Sequence, residues 1–288
     1  MTWFYLSLLS IFALATAELT QQHLLNLRNA FSVRTSVILT FLFQALMTLL
    51  FIFIFRLSGQ LLVVFNSIIL PKLLVVTFIS SFATIFYLRS FKVKNISFSA
   101  IFISFSMVVS TLMGIIFFSE STSYLKFLGI FLILVAIIIT NYKNAVLEKN
   151  HFYGLLAGFI FGVSHILDKS IVLDIHPLVY MFWLFLLISA WSFLLGIRDV
   201  INSLQDKNAK SYKPIVISGI GYFLFNFLIF TAYKFGGEVG RIDAINNSQI
   251  FLIILFEFFI LKHTEGTFRK IFSASLAIIG IFMLGLVK

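Results

Sequence analysis

The feature that most constrains this chain is a series of unbroken apolar runs of about twenty residues, such as Thr35–Phe55. A run of that length matches the span of one helix across a bilayer core. In lipid the backbone finds no hydrogen-bond partner outside the protein, so only helices and closed barrels can cross. Barrel strands alternate apolar and polar residues over roughly ten positions, and these runs do not alternate. The chain has 288 residues, of which 60% are hydrophobic and 11% charged. A soluble domain uses roughly 25% charged residues, so this composition fits an apolar solvent. The expected fold is an all-α integral membrane protein with about ten transmembrane helices.

The ten runs are Thr2–Ala17, Thr35–Phe55, Lys72–Leu88, Ser97–Phe118, Leu125–Asn141, Tyr153–Ile171, Pro177–Ile197, Pro214–Tyr233, Ile242–Leu261 and Lys270–Val287. Leu57–Leu70 is apolar but interrupted by Ser58, Gly59, Gln60 and Asn66. It reads as an interfacial segment or an extension of the third run. Ala15-Thr16-Ala17 before Glu18 resembles a signal-peptidase site, but no Lys or Arg precedes the run, whereas a signal peptide has a basic start. The first run is therefore expected to stay as a helix.

The polar stretch Asn141–His151 divides the chain into halves, 1–141 and 152–288. They carry related ends. FFSESTSYLKFLGIFLILVAIIIT, from Phe117, parallels FILKHTEGTFRKIFSASLAIIGIFML, from Phe259. Glu120 falls opposite His263, and Lys126 opposite Arg269. With one inserted residue, Gly129 matches Ser273 and Ala136 matches Gly280. Five helices is an odd number, so the second half enters the membrane from the opposite side. The expectation is two inverted five-helix repeats, an architecture that places a substrate site near the midplane between halves.

The chain resembles the EamA-like family of the drug/metabolite transporter superfamily, whose members carry two five-helix repeats. The family's Glu at the end of a repeat's fourth helix corresponds to Glu120 in FFSE. In the second repeat, ILKHTE has His263 there, with Glu265 two residues on. A Lys near the end of a repeat's first helix corresponds to Lys169 in LDKS, while the first repeat has Gln21 and Gln22. The resemblance implies a transporter, working by efflux.

Several polar residues inside the runs are candidates, because an ionisable group in a membrane is costly unless it pairs or meets water. Lys169, with His165 and Asp168 beside it, reads either as a cation facing a cavity or as a helix-end lysine reaching the interface. Asp243, Asn246, Gln249, Ile253 and Glu257 share one broad helical face. Asn246 and Gln249 are expected to border a cavity, with Glu257 as the candidate coupling site. Tyr222 and Asn226 lie one turn apart and can point inward. The expected substrate-binding set is Lys169, His165, Asn226, Asn246 and Gln249. Gly154, Gly158 and Gly162, spaced by four, form a small-residue stripe for close helix packing. With Glu120 they are expected to be structural.

No phosphate-binding P-loop, HExxH zinc pattern or GxSxG elbow occurs, and there are no cysteines. An enzyme, a cofactor and a metal site are not expected. The net charge of +10 sits mainly between the runs, which suits topology control rather than nucleic acid. The expected partners are a small-molecule substrate, the lipid bilayer, and protons or another coupling ion. The function these residues suggest is a secondary transporter in a bacterial-type inner membrane. It would move a small metabolite or drug-like molecule by alternating access. A non-transport membrane protein, such as a lipid-modifying enzyme or assembly partner, is the alternative, and a channel is the third reading.

Orientation follows from charge. The connections after the odd-numbered runs hold about 14 of the 21 Lys and Arg, among them Arg89, Lys92, Lys94, Arg198, Lys207 and Lys210. Basic loops stay in the cytoplasm, which places both termini outside, whereas the family resemblance implies termini inside. A C-terminal reporter active only in the cytoplasm is therefore expected to stay silent after Lys288. Strong activity would defeat the charge-based orientation.

Overall fold

A computed structural model describes residues 1–25, 31–90, 102–141, 149–205, 212–252 and 267–286. The described residues contain helices and no strands. Six helices are long and apolar enough to cross a membrane, and three shorter apolar helices accompany them. The chain is a multi-pass membrane protein. The first half holds α1 (Thr2–Leu25), α2 (Val33–Ile54), α3 (Ile69–Ser90), α4 (Phe105–Phe118) and α5 (Tyr124–Asn141). The second holds α6 (Lys149–Val172), α7 (Pro177–Leu194), the short α8 (Ile197–Gln205), α9 (Tyr212–Lys234), α10 (Val239–Asn247) and α11 (Thr267–Leu286). α1 passes through Ala15-Thr16-Ala17 without a break.

Both readings of Leu57–Leu70 contribute. Ser58–Phe65 is a largely exposed 3-10 helix, and α3 begins at Ile69, earlier than Lys72. Eight residues of 3-10 helix are too few to cross the bilayer. The run from Ile242 differs more. α10 starts at Val239, and a turn at Ser248 interrupts the helix before residues 249–252 resume it. Gly236, at φ +82°, makes the preceding turn, a backbone shape that glycine adopts without steric cost.

Packing joins the two halves rather than separating them. α1 lies antiparallel to α9: Ser218 Oγ donates to Gln21 Oε1 at 2.9 Å, and Gly221 packs on Ala17. α3 lies against α6, where Ser80 meets Ser164 at 3.2 Å and Phe86 stacks on Tyr153. α2 pairs with α7 through Phe41 and Phe185 and a bond from Ser189 Oγ to the Ile38 carbonyl. α4 packs on both α6 and α10, and α5 on α11. Exchange α1 with α6, α2 with α7, α3 with α9, α4 with α10 and α5 with α11. The α1–α9 pair then becomes α6–α3, the α4–α6 pair becomes α10–α1, and α3–α7 becomes α9–α2. Each of these pairs is in contact. The pairs α2–α7, α4–α10 and α5–α11 map onto themselves.

Small residues set the closest approaches. A Cβ on Gly158 would stand 2.6 Å from the Ile103 carbonyl oxygen, and one on Gly162 would stand 2.6 Å from Val109 Cβ. The stripe on α6 thus seats α4, and Gly154 on the same stripe is buried. Between α5 and α11 the contact is reciprocal. A Cβ on Gly129 would lie 2.9 Å from the Gly280 oxygen, and one on Gly280 would lie 2.7 Å from the Gly129 oxygen. Backbone cannot swing aside as a side chain can, so Gly280→Val must part the helices. The expected loss is roughly 1–3 kcal/mol of stability, read as a lower thermal midpoint of the detergent-purified protein. Gly59→Val is the control, because a Cβ there meets nothing within 4 Å. Equal midpoints would refute the close crossing.

Candidate functional site: a polar cavity closed by an ion ladder

The cavity of about 180 Å³ lies where α1, α2, α3, α4, α6, α7, α9 and α10 converge. His165, Asn226, Asn246 and Gln249 of the expected binding set all line it, as do Tyr222 and Asp243. Lys169 does not. Glu257 and His263 lie outside the described residues. The face carrying Asp243, Asn246 and Gln249 reaches the cavity despite the turn at Ser248. Residues not singled out as binding candidates complete the wall, including Glu18, Gln21, Thr40, Gln44 and Asp168. Gln44 could have been found from the sequence. A lone Gln within the otherwise apolar stretch around Phe43–Leu46 needs a buried partner or a cavity.

One wall is a connected polar network. Asp243 accepts from Ser110 Oγ at 2.8 Å and from Asn247 Nδ2 at 3.0 Å. His165 stands between two carboxylates, with Nδ1 3.5 Å from Asp168 and Nε2 3.8 Å from Asp243. Tyr180 OH donates to Asp168. Asn246 Oδ1 accepts from Ser10 Oγ at 3.1 Å. The network ties α1, α4, α6, α7 and α10 together at one level of the bundle. Other lining groups are different. Gln21 Nε2, Thr40 Oγ1, Gln44 Oε1, Tyr222 OH and Gln249 Oε1 are buried atoms without a hydrogen-bond partner among the described residues, and all five side chains line the cavity. Buried polar atoms are nearly always paired, so five unsatisfied ones around one space make it the candidate site.

Beyond Asp168 the bundle is closed by charge. α4 ends at Ser119 in the left-handed region, φ 50°, which turns Glu120 back beneath the helix. Gly114 makes room, because a Cβ there would stand 2.5 Å from Glu120 Oε2. Glu120 Oε1 takes Lys169 Nζ at 3.0 Å and the Val239 N–H at 2.6 Å. Its Oε2 takes Lys126 Nζ at 3.2 Å. Lys126 reaches on to Glu238 at 2.7 Å, and Glu238 to Arg241 at 3.3 Å. The result is a ladder, Lys169–Glu120–Lys126–Glu238–Arg241, with alternating sign. Lys126 is fully buried. Lys169 and Arg241 also lie over the rings of Phe118 and Trp3, at 4.7 and 4.5 Å.

This arrangement explains Lys169. Neither sequence reading of it anticipated the nearby Glu120, which supplies both a countercharge and a hydrogen bond. A helix N-terminus leaves N–H groups unsatisfied, and Glu120 satisfies one on α10 from the other half of the chain. Glu238 sits in the turn before α10. Burial alone would push its carboxyl up, but the bond from Lys126, the charges of Arg241 and Lys126, and Ser121 hold it below the ordinary glutamate value. Such a group contributes stability above its unfolded pKa and loses it only as the pH falls through the lowered value. Glu238 therefore stays ionised across roughly pH 5 to 8. At the opposite end of the bundle, Arg34 pairs with Asp199 at 2.9 Å on the surface.

The comparisons with known proteins bear on the fold. No curated protein matches the chain. Among 28 matching solved chains, a crystal structure aligns with a TM-score of 0.76 at 13% identity, covering 99% of this chain and 96% of that one. That likeness shows a shared fold across the whole chain. Residues 149–286 match the EamA-like transporter family. The match runs from α6 to α11, so it is the second half of the chain that is similar to this family.

Proposed function

We propose that this protein is a secondary transporter of a bacterial-type inner membrane, exporting a small metabolite or drug-like molecule by alternating access. The observation that carries the reading is the cavity between the halves, lined by unsatisfied polar atoms, with an ion ladder beyond Asp168. A packed structural core would not keep five polar atoms unpaired, because each costs roughly 1–3 kcal/mol. Solute or water offsets that cost. His165, Asn226, Asn246 and Gln249 are the proposed substrate contacts, joined by Gln21 and Gln44. Glu257 remains the proposed coupling residue.

The exchange of helix pairs between halves supports two five-helix repeats, 1–141 and 152–288, related by inversion. In such a carrier the two ends of the cavity open in turn. We assign the ladder as the closure at one end. It joins α6, the turn after α4, α5, and the turn before α10, so it must break for that end to open. Its charges also bear on orientation. Lys126, Lys169 and Arg241 count against termini outside, yet all three are held by Glu120 and Glu238. A neutralised basic residue has little pull on topology, which strengthens the charge-based orientation.

Proteoliposomes containing the protein are expected to take up a member of a small-metabolite panel saturably. Asn246→Ala and His165→Ala should reduce that uptake tenfold or more without loss of folded protein. Unsaturable ion current would instead mean a channel, and no flux of any solute a non-transport membrane protein. For the ladder, Glu120→Gln should cost roughly 3–5 kcal/mol, because it strands a buried cation. Glu120→Gln with Lys169→Met should recover much of that loss. Unchanged thermal stability in the single variant would remove the ladder as a closure.

A further inference from the structure

We infer that the solute this cavity takes is a small organic cation, a protonated amine on an apolar body, and that Glu18 is its counter-ion. The inference rests on the transporter reading for its biological sense, but its argument is the chemistry of the wall. Three carboxylates line the cavity, those of Glu18, Asp168 and Asp243, and no Lys or Arg does so among the described residues. The chain as a whole has 21 basic and 11 acidic residues, so the cavity reverses the charge balance of the molecule. The nearest basic groups cannot correct it, because the ladder already engages Lys126, Lys169 and Arg241.

The three carboxylates are not equivalent. Asp168 is held by Tyr180 and His165, and Asp243 by Ser110, Asn247 and His165. His165 lies between these two, so any positive charge it carries is matched there. Glu18 is buried, at 7% exposure. Its side-chain partner is Gln249, and it has no ion pair among the described residues. A buried carboxylate without a cation is unfavourable. The unpartnered atoms gather on the same wall. Gln21, one turn along α1, is 1% exposed, and Gln44 is fully buried with its oxygen unmet. The Gln44 and Gln249 oxygens are acceptors, which suit the several N–H donors of an ammonium group. Phe41, Phe161, Phe185 and Phe225 complete the lining. Their faces attract a cation as well as an apolar body. At about 180 Å³ the space is below the roughly 300–1,000 Å³ of drug-sized sites, so the body is small.

The test is equilibrium binding to the detergent-purified, full-length protein. The probes are n-butylamine, cyclohexylamine and phenethylamine, each compared with the alcohol and the carboxylate of the same skeleton. At least one amine should bind saturably and at least tenfold more tightly than its two counterparts. Glu18→Gln should remove that preference, and Glu18→Asp should retain part of it. The wild-type comparison needs no variant, so it decides the matter even if Glu18→Gln does not fold. If no amine outbinds its alcohol and carboxylate, or if folded Glu18→Gln keeps the preference, the inference is wrong, and a proton is left as the occupant of Glu18. Flux separates the two readings. Amine binding without uptake into proteoliposomes would end the transporter reading but keep the site. Saturable uptake of a neutral or anionic solute alone would do the reverse.

Discussion

A lipid-facing chain has no solvent with which to satisfy its polar groups, and every other feature of this protein is arranged around that constraint. The backbone answers it by forming helices, since each helix pairs its own N–H and C=O groups. Hydroxyls answer it locally. Ser7, Thr48, Thr77 and Thr231 each donate to a carbonyl one turn back on their own helix. Charges also draw together residues distant in sequence. Glu120 meets Lys169 and the backbone of Val239, 49 and 119 residues away. Among the described residues, five of the buried atoms that remain unsatisfied lie on the cavity wall.

The ladder and the cavity use the same residue types to opposite ends. In the ladder, each carboxylate has a cation on either side, and an N-terminal N–H takes a further lone pair. Charge and hydrogen bonding are both satisfied, so the closure is firm. In the cavity, Asp168 and Asp243 are held by hydroxyl, amide and imidazole groups, and Glu18 by an amide alone. The separation is made by a single step in sequence. Asp168 turns to the cavity and Lys169 to the ladder, because adjacent residues on a helix point about 100° apart. One turn of α6 therefore contributes to both the cavity wall and the ion ladder.

The match between halves is uneven in a way that bears on mechanism. Lys126 finds Glu120 in the first half. Its counterpart Arg269 stands opposite a stretch in which Glu120 is replaced by His263. Two of its buried guanidinium nitrogens have no partner among the described residues. The two positions therefore differ in charge type, a glutamate in one half and a histidine in the other.

By itself the sequence determined the solvent, the secondary structure and the approximate bounds of most helices. Continuous apolar runs leave no other answer for a backbone in lipid. It also marked the residues that needed an explanation, since a Lys, Asp or Gln inside such a run is never incidental. His165, Asn226, Asn246 and Gln249 were legible in that way, and all four reach the cavity. Which partner each polar residue takes was decided only by the tertiary structure. Lys169 has Asp168 beside it in sequence and a substrate cavity within reach, yet it pairs with Glu120, because the left-handed turn at Ser119 delivers that carboxylate to it. Glu18 directly follows the first apolar run, and Gln44 is a lone amide residue inside the second. Both are cavity groups, because α1 packs on α9 and α2 on α7 around the same space. Helix periodicity can say which residues share a face. It carries no information about which helix that face will meet, since the contacts join residues from 49 to 236 positions apart in sequence.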